Sequence, residues 1–218
     1  MVAVGMLVCV STASIAFDLN LPGVSAPSAS ASGGANAEAM QEGIVQRYTQ
    51  ASTKIDMAQL ELARAFDLND QAAALEAQVT ALKSGATLDK DGIEKQKKIS
   101  DDANIAIQAK LDANTQISDE GKKHYVSSLI PFASGLALTA QMPSDLKAFA
   151  DASKSQISSA SLLDKLKITS KLSAGTYLAS ELPGYTTRVV DGFKKLVTFA
   201  KSNQIPVPKD ATDLLGSL

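Results

Sequence analysis

Tryptophan is absent from the 218 residues, and cysteine and histidine occur once each, as Cys9 and His124. With one cysteine the chain can close no internal disulfide and build no thiolate metal site, so its stability has to come from packing. With one histidine and no E-x-x-H pair it cannot furnish a di-iron site inside a helical bundle. Aromatic residues are only 5% of the chain, and Ala, Ser, Leu and Lys dominate, a composition that favours helices over sandwiches or barrels. Neither sign of charge prevails. The 21 basic and 23 acidic residues give a net −2 with no block of like charge, which removes the electrostatic footprint of a nucleic-acid binder. Glycine-rich phosphate loops and G-x-S-x-G are also missing, so nucleotide and serine-hydrolase chemistry lack their carriers, and no cofactor is expected.

What is present begins with an apolar run, "VAVGMLVCV", from Val2 to Val10. Ser14 and Ala16 then occupy the −3 and −1 positions of a cut before Phe17, and the pattern predicts a cleaved export signal over residues 1–16. No Lys or Arg follows Met1, as expected if the reading frame opens further upstream. Met6-Leu7-Val8 lack the small residue that a lipoprotein peptidase needs before Cys9, so simple cleavage is the expectation. That places the protein in a periplasm or outside the cell. Residues 17–35, rich in Ser, Ala, Gly and Pro, predict a flexible linker, because they bury too little apolar surface to offset their ordering entropy.

Residues 36–204 predict a helical bundle. Asn36 is a good N-cap for a stripe through Met40, Ile44, Tyr48, Ala51, Ile55, Ala58, Leu62 and Phe66, which continues through Ala72, Leu75, Val79 and Leu82 to Gly85. The stripe fits one helix over 37–84 or a restart at Asn69. After the turn "GATLDKDG" a second helix buries Ile93, Ala103, Ile107, Leu111 and Ile117, and the short turn predicts a long N-terminal antiparallel hairpin. Pro131 predicts a kink or boundary, Ser144 caps a restarted helix, and Pro183-Gly184 precede a last helix over 185–203. Residues 205–218, with Pro206 and Pro208, read as an extended C-terminal tail. The expected fold is therefore all-α, an elongated antiparallel bundle of four to five helices whose interior is apolar.

Three motifs resemble sites without completing them. "TLDKDGIEKQKK" places Asp89, Asp91 and Gly92 at the third, fifth and sixth positions of a calcium loop, but the first position is Thr87 and the twelfth is Lys98, so the aspartates read as turn and cap residues. His124 precedes Ser127 and Ser128 without an orienting acid, and Glu120, four residues earlier, is its expected partner. "SDLK", Ser144 to Lys147, has the S-x-x-K spacing of penicillin-interacting enzymes without their S-D-N and K-T-G companions.

The segment 125–143, "YVSSLIPFASGLALTAQMP", carries no formal charge. From Tyr125 to Met142 a helix would span about 27 Å, just short of a hydrocarbon core, and its Ser, Pro and Gly residues dilute it further. The expectation is a central bundle helix, apolar all round, with Gly135 and Ala137 admitting close neighbours. The alternative is a segment released to lipid or a partner through Leu129, Phe132, Leu136 and Leu138. Long helices with a Gly- and Pro-containing apolar hairpin are similar in plan to the α-helical pore-forming toxins of the haemolysin E type, a resemblance that implies membrane activity. The sequence as a whole supports an exported, non-catalytic binding or structural module of the cell envelope or the exterior. Its expected contact is a protein partner or self-association, ahead of a membrane surface and with nucleic acid excluded. An enzyme of unfamiliar type is the remaining class.

Overall fold

Residues 36–85 and 88–217 are described by the structure, a computed structural model of the chain. The export signal and linker expected over 1–35 lie outside the described residues. Those residues form seven helices and no strand: α1 (Ala37–Ala65), α2 (Asn69–Lys83), α3 (Lys90–Asp112), α4 (Asp119–Ser159), α5 (Leu162–Lys171), α6 (Ser173–Ser202) and α7 (Lys209–Ser217). The all-α class is as expected, with more helices than the four to five anticipated.

Several starts follow local chemistry that the sequence announces. Asn36 Oδ1 accepts the Glu38 amide at 3.0 Å, Asp89 Oδ1 accepts that of Gly92 at 2.8 Å, and Ser118 Oγ accepts that of Gly121 at 3.0 Å. Gly85 ends α2 at φ +83°, a conformation only glycine adopts without strain. Between α1 and α2 the chain breaks at Phe66–Leu68, with Asp67 at φ 56° and the Leu68 amide donating back to the Ala63 carbonyl at 2.8 Å. Of the two readings of 37–84, the restart at Asn69 holds and the single helix does not.

That break redirects the chain. Asp56 meets Gln78 and Arg64 meets Glu76, so α2 folds back along α1. Tyr48 meets Gln96 and Gln59 meets Ser100, so α3 runs in the same direction as α1, not antiparallel to it as the short turn suggested. The corresponding hairpin is instead α1–α2. A second antiparallel pair is α4 and α6, joined through α5: Tyr125 reaches Leu196, Phe132 stacks on Phe193 at 5.3 Å, and Phe149 covers Gly175.

Prolines interrupt less than their chemistry predicts. α4 continues through Pro131 and Pro143, and α6 through Pro183, so no boundary or restart falls at any of the three. Pro143 and Pro183 face solvent and Pro131 is half-buried, and Ser127, whose carbonyl loses its donor at Pro131, is exposed and open to water. Buried side chains on either side, Leu129 and Phe132, Met142 and Leu146, Leu182 and Tyr185, hold the helices across them. Tertiary packing of this kind outweighs a local cost of about 3 kcal/mol per proline. Ser144 does not cap a helix; its hydroxyl donates to the Gln141 carbonyl at 3.2 Å. The helix ends only at Ala160, and the next is capped by Ser161, whose Oγ accepts the Asp164 amide at 3.3 Å.

The core lies chiefly between α1, α4 and α6. Gly135 lets α4 come close to α1, since an added Cβ would sit 2.6 Å from Ile55 Cγ1 and 2.9 Å from the Ala51 carbonyl oxygen. Phe66, Tyr125 and Phe199 form an aromatic cluster with centroids 5.4 to 6.1 Å apart. Arg47 and Asp145 tie α1 to α4 at the surface. The tail expected to be extended carries α7, which packs on α4 and helps bury Ile205 and Ala211.

Candidate functional site

Of the four residues singled out on the uncharged segment, Leu129, Phe132 and Leu136 are buried in the core and Leu138 is half-buried. The segment is not enclosed on all sides. Tyr125, Leu129, Phe132, Leu136 and Met142 face inward, while Ser127, Ser134, Gln141 and the 51% exposed Ile130 face outward. It carries no charge because its outer face is built from Ser127, Ile130, Ser134, Ala140, Gln141 and Pro143. Among the described residues no helix is long and apolar enough to cross a membrane.

His124 does not pair with Glu120. Its Nδ1 lies 2.7 Å from Glu61 Oε2 on α1, a cross-helix contact, while Glu120 sits 3.6 Å from Lys123. Asp89 is the cap it was expected to be, Asp91 lies in the first turn of α3, and Thr87 is outside the described residues. No three metal-ligating side chains gather among the described residues.

Where an apolar interior was expected, the structure places a polar cluster. Asp56 is fully buried, and its Oδ2 accepts Gln78 Nε2 at 2.7 Å and Gln96 Nε2 at 3.0 Å. Tyr48 donates its hydroxyl to Gln96, and Ser100 donates to Gln59 at 2.9 Å. Asp56 Oδ1 and the hydroxyls of Ser52 and Tyr185 have no hydrogen-bond partner among the described residues. Burial pushes the Asp56 carboxyl up to about 6, against the lowering effect of the two glutamine amides. The signal was present in the sequence: Ser52, Asp56 and Gln59 recur at spacings of four and three, a polar stripe beside the apolar one. The cavity bordering this cluster, beside Gln59, Ser100 and Tyr185, is about 20 Å³, room for one water and no substrate.

The other unusual surface is α5, which joins α4 to α6 and has no buried residue. Leu162, Leu163 and Leu166 are 82%, 73% and 71% exposed, the most exposed large apolar side chains among the described residues. At about 100° per residue these three leucines span one face, and Ile168, the side chain of α5 packed on the core, falls nearly opposite. Lys165 and Lys167 flank the leucine face on either side. Beside α5, the last turns of α4 and the first of α6 enclose a groove of about 460 Å³ lined by Phe149, Ala150, Ile157 and Ala179 among others. The helical stripe 162, 163, 166 is legible in the sequence, but nothing there says that it faces away from the core. Compared with family models, curated proteins and solved structures, the chain finds no match.

Proposed function

We propose that the chain is an exported, non-catalytic helical bundle that acts as a binding module and that α5, not the segment 125–143, is its contact element. The observation that carries this reading is a capped helix holding three leucines more than two-thirds exposed while burying none of its own residues. Leaving that much apolar surface in water is unfavourable, and contiguous patches of this kind mark contact sites. A binding role is further supported by the chemistry of the remaining polar groups. His124 is held by Glu61 between two helices, and Asp56, the one buried carboxylate among the described residues, borders a space too small for a substrate. Within this reading the bundle is an antiparallel scaffold whose α4–α6 hairpin holds α5 at its turn. The export half of the reading rests on the apolar run and the small residues before Phe17.

Expression from its own leader in a bacterial host tests both halves. The expected result is a chain recovered outside the cytoplasm with Phe17 at its N-terminus, sedimenting with the envelope. L162S/L163S/L166S should retain full helicity and appear in the soluble pool. A wild-type chain that stays in the cytoplasm removes the export reading, and equal fractionation of the two chains removes the contact element.

A further inference from the structure

We infer that the surface α5 binds is an anionic lipid headgroup layer, a proposal that rests on α5 being the contact element. The argument is charge complementarity around an apolar face. Residues 161–171 hold three lysines, Lys165, Lys167 and Lys171, and one aspartate, Asp164, so three minus one gives +2 in a chain whose net charge is −2. On the preceding turns of α4, Lys154 and Asp151 balance, so the excess belongs to α5 itself. Lys171 is shared with Glu38 at 3.2 Å, but Lys154, Lys165 and Lys167 form no ion pair among the described residues. Elsewhere some exposed lysines are matched, Lys98 with Asp102 at 2.8 Å and Lys195 with Asp112 at 2.9 Å, so what distinguishes α5 is two unmatched lysines at the edges of an exposed leucine face.

A helix that lies in a membrane interface needs this distribution: leucines on one face to enter the acyl boundary, and lysines at its edges with stems long enough to reach the phosphates. A protein groove would supply carboxylates at fixed positions. The lysines of α5 instead project from both flanks of the leucine face, which suits a laterally uniform negative layer. Ile168 and the buried Leu172 keep the leucines pointed outward, so docking requires no rearrangement of the bundle. The apolar groove beside α5 extends the surface that a headgroup layer would cover.

Flotation of the full chain with vesicles tests the proposal. Phosphatidylcholine mixed equally with phosphatidylglycerol should carry the wild-type chain upward at low salt, and phosphatidylcholine alone should not. L162S/L163S/L166S should lower the partition coefficient by roughly a hundredfold or more, since each leucine contributes apolar area to the interface. K165Q/K167Q should lower it roughly 25-fold, about fivefold per lysine, and the remaining binding should weaken with salt. These positions are exposed except Lys165, which is half-buried, and unchanged circular dichroism confirms that each variant folds. Every variant keeps the apolar run at 1–16, so that run cannot account for a difference between them. Flotation unaffected by either set of substitutions overturns the inference, as does a dimer in light scattering that L163S dissociates, which would make a second copy the occupant. Absence of flotation with α5-dependent envelope sedimentation also overturns it while leaving the binding reading intact with a protein partner. Loss of both removes the two together.

Discussion

Replacing Asp56 by Asn isolates one ionisable group whose energy can be worked from its surroundings. The carboxyl is fully buried, accepts two glutamine amides through Oδ2, and leaves Oδ1 without a partner. Among the described residues no cation meets it: the groups around it are Tyr48, Ser52 and Gln59 on its own helix, Gln78 on α2, Gln96 and Ser100 on α3 and Tyr185 on α6. Burial raises it to about 6, from 3.8 for an unburied aspartate. Below pH 3.8 the proton is bound in both folded and unfolded chains, and the group contributes no pH dependence. Between 3.8 and about 6 the folded chain keeps the proton and the unfolded chain releases it, so stability falls as pH rises. Above about 6 both are ionised and the loss is complete. An interval of about two pH units at about 1.4 kcal/mol each gives a penalty of about 3 kcal/mol at neutral pH.

Urea unfolding of wild type and D56N from pH 3.5 to 8 measures it. Taking the difference between the two chains at each pH cancels every other titrating group. That difference should be small at the acid end, grow in favour of D56N across the interval and level off at about 3 kcal/mol. Q96L, which removes one of the donors to the carboxylate, should carry the rise to higher pH. A flat difference would refute the reasoning, because it would mean that the Asp56 site is open enough to hydrate its charge.

Two glycines predict opposite outcomes. Gly135→Ala drives a methyl into Ile55 and the Ala51 carbonyl and should destabilise by about 1–3 kcal/mol, while Gly184→Ala, whose nearest foreign atom is Arg188 Nη1 at 3.5 Å, should stabilise by about 0.5–1 kcal/mol; thermal melts of both decide. Pro183→Ala restores an amide donor on an exposed turn of α6 and should raise stability by about 1–3 kcal/mol, read from the denaturant midpoint. Tyr125→Phe removes a hydroxyl that donates to the Leu196 carbonyl at 2.8 Å and should cost about 1 kcal/mol, with the aromatic near-ultraviolet spectrum of the Phe66–Phe199 cluster otherwise retained.

Local chemistry was the legible part of this fold. Asn36, Gly85, Asp89 and Ser118 act where they stand in the chain, and the apolar stripe from Ile44 to Leu62 is buried residue by residue. What failed were inferences that needed to know a helix's neighbours. Pro131, Pro143 and Pro183 break isolated helices, and only the packing of Phe132, Leu146 and Tyr185 on partner helices keeps α4 and α6 continuous. The direction of α3 depended on a three-residue break at Phe66–Leu68, which apolar periodicity spans without a gap because Phe66 and Leu68 both continue the stripe. Asp56 and α5 escaped notice for a shared reason. A polar residue beside a stripe and a leucine pair in a short helix look the same whichever way they face.

Those two places depart from the rule that apolar groups go inside, and they depart in opposite senses. At Asp56 the departure is largely answered within the chain: five polar side chains from α1, α2 and α3 converge there, and their bonds hold the register of three helices that apolar contacts alone would specify less sharply. Its residual cost is a pH-dependent one that the fold carries. At α5 nothing in the described chain answers the departure. Three leucines stand in water beside Lys165 and Lys167, which form no ion pair among the described residues, although a half-turn of the helix would have put those leucines onto the core in place of Ile168. Local rules are broken without internal compensation chiefly where something outside the chain supplies it. This asymmetry, more than the amount of exposed area, separates α5 as a contact element from Asp56 as a structural one.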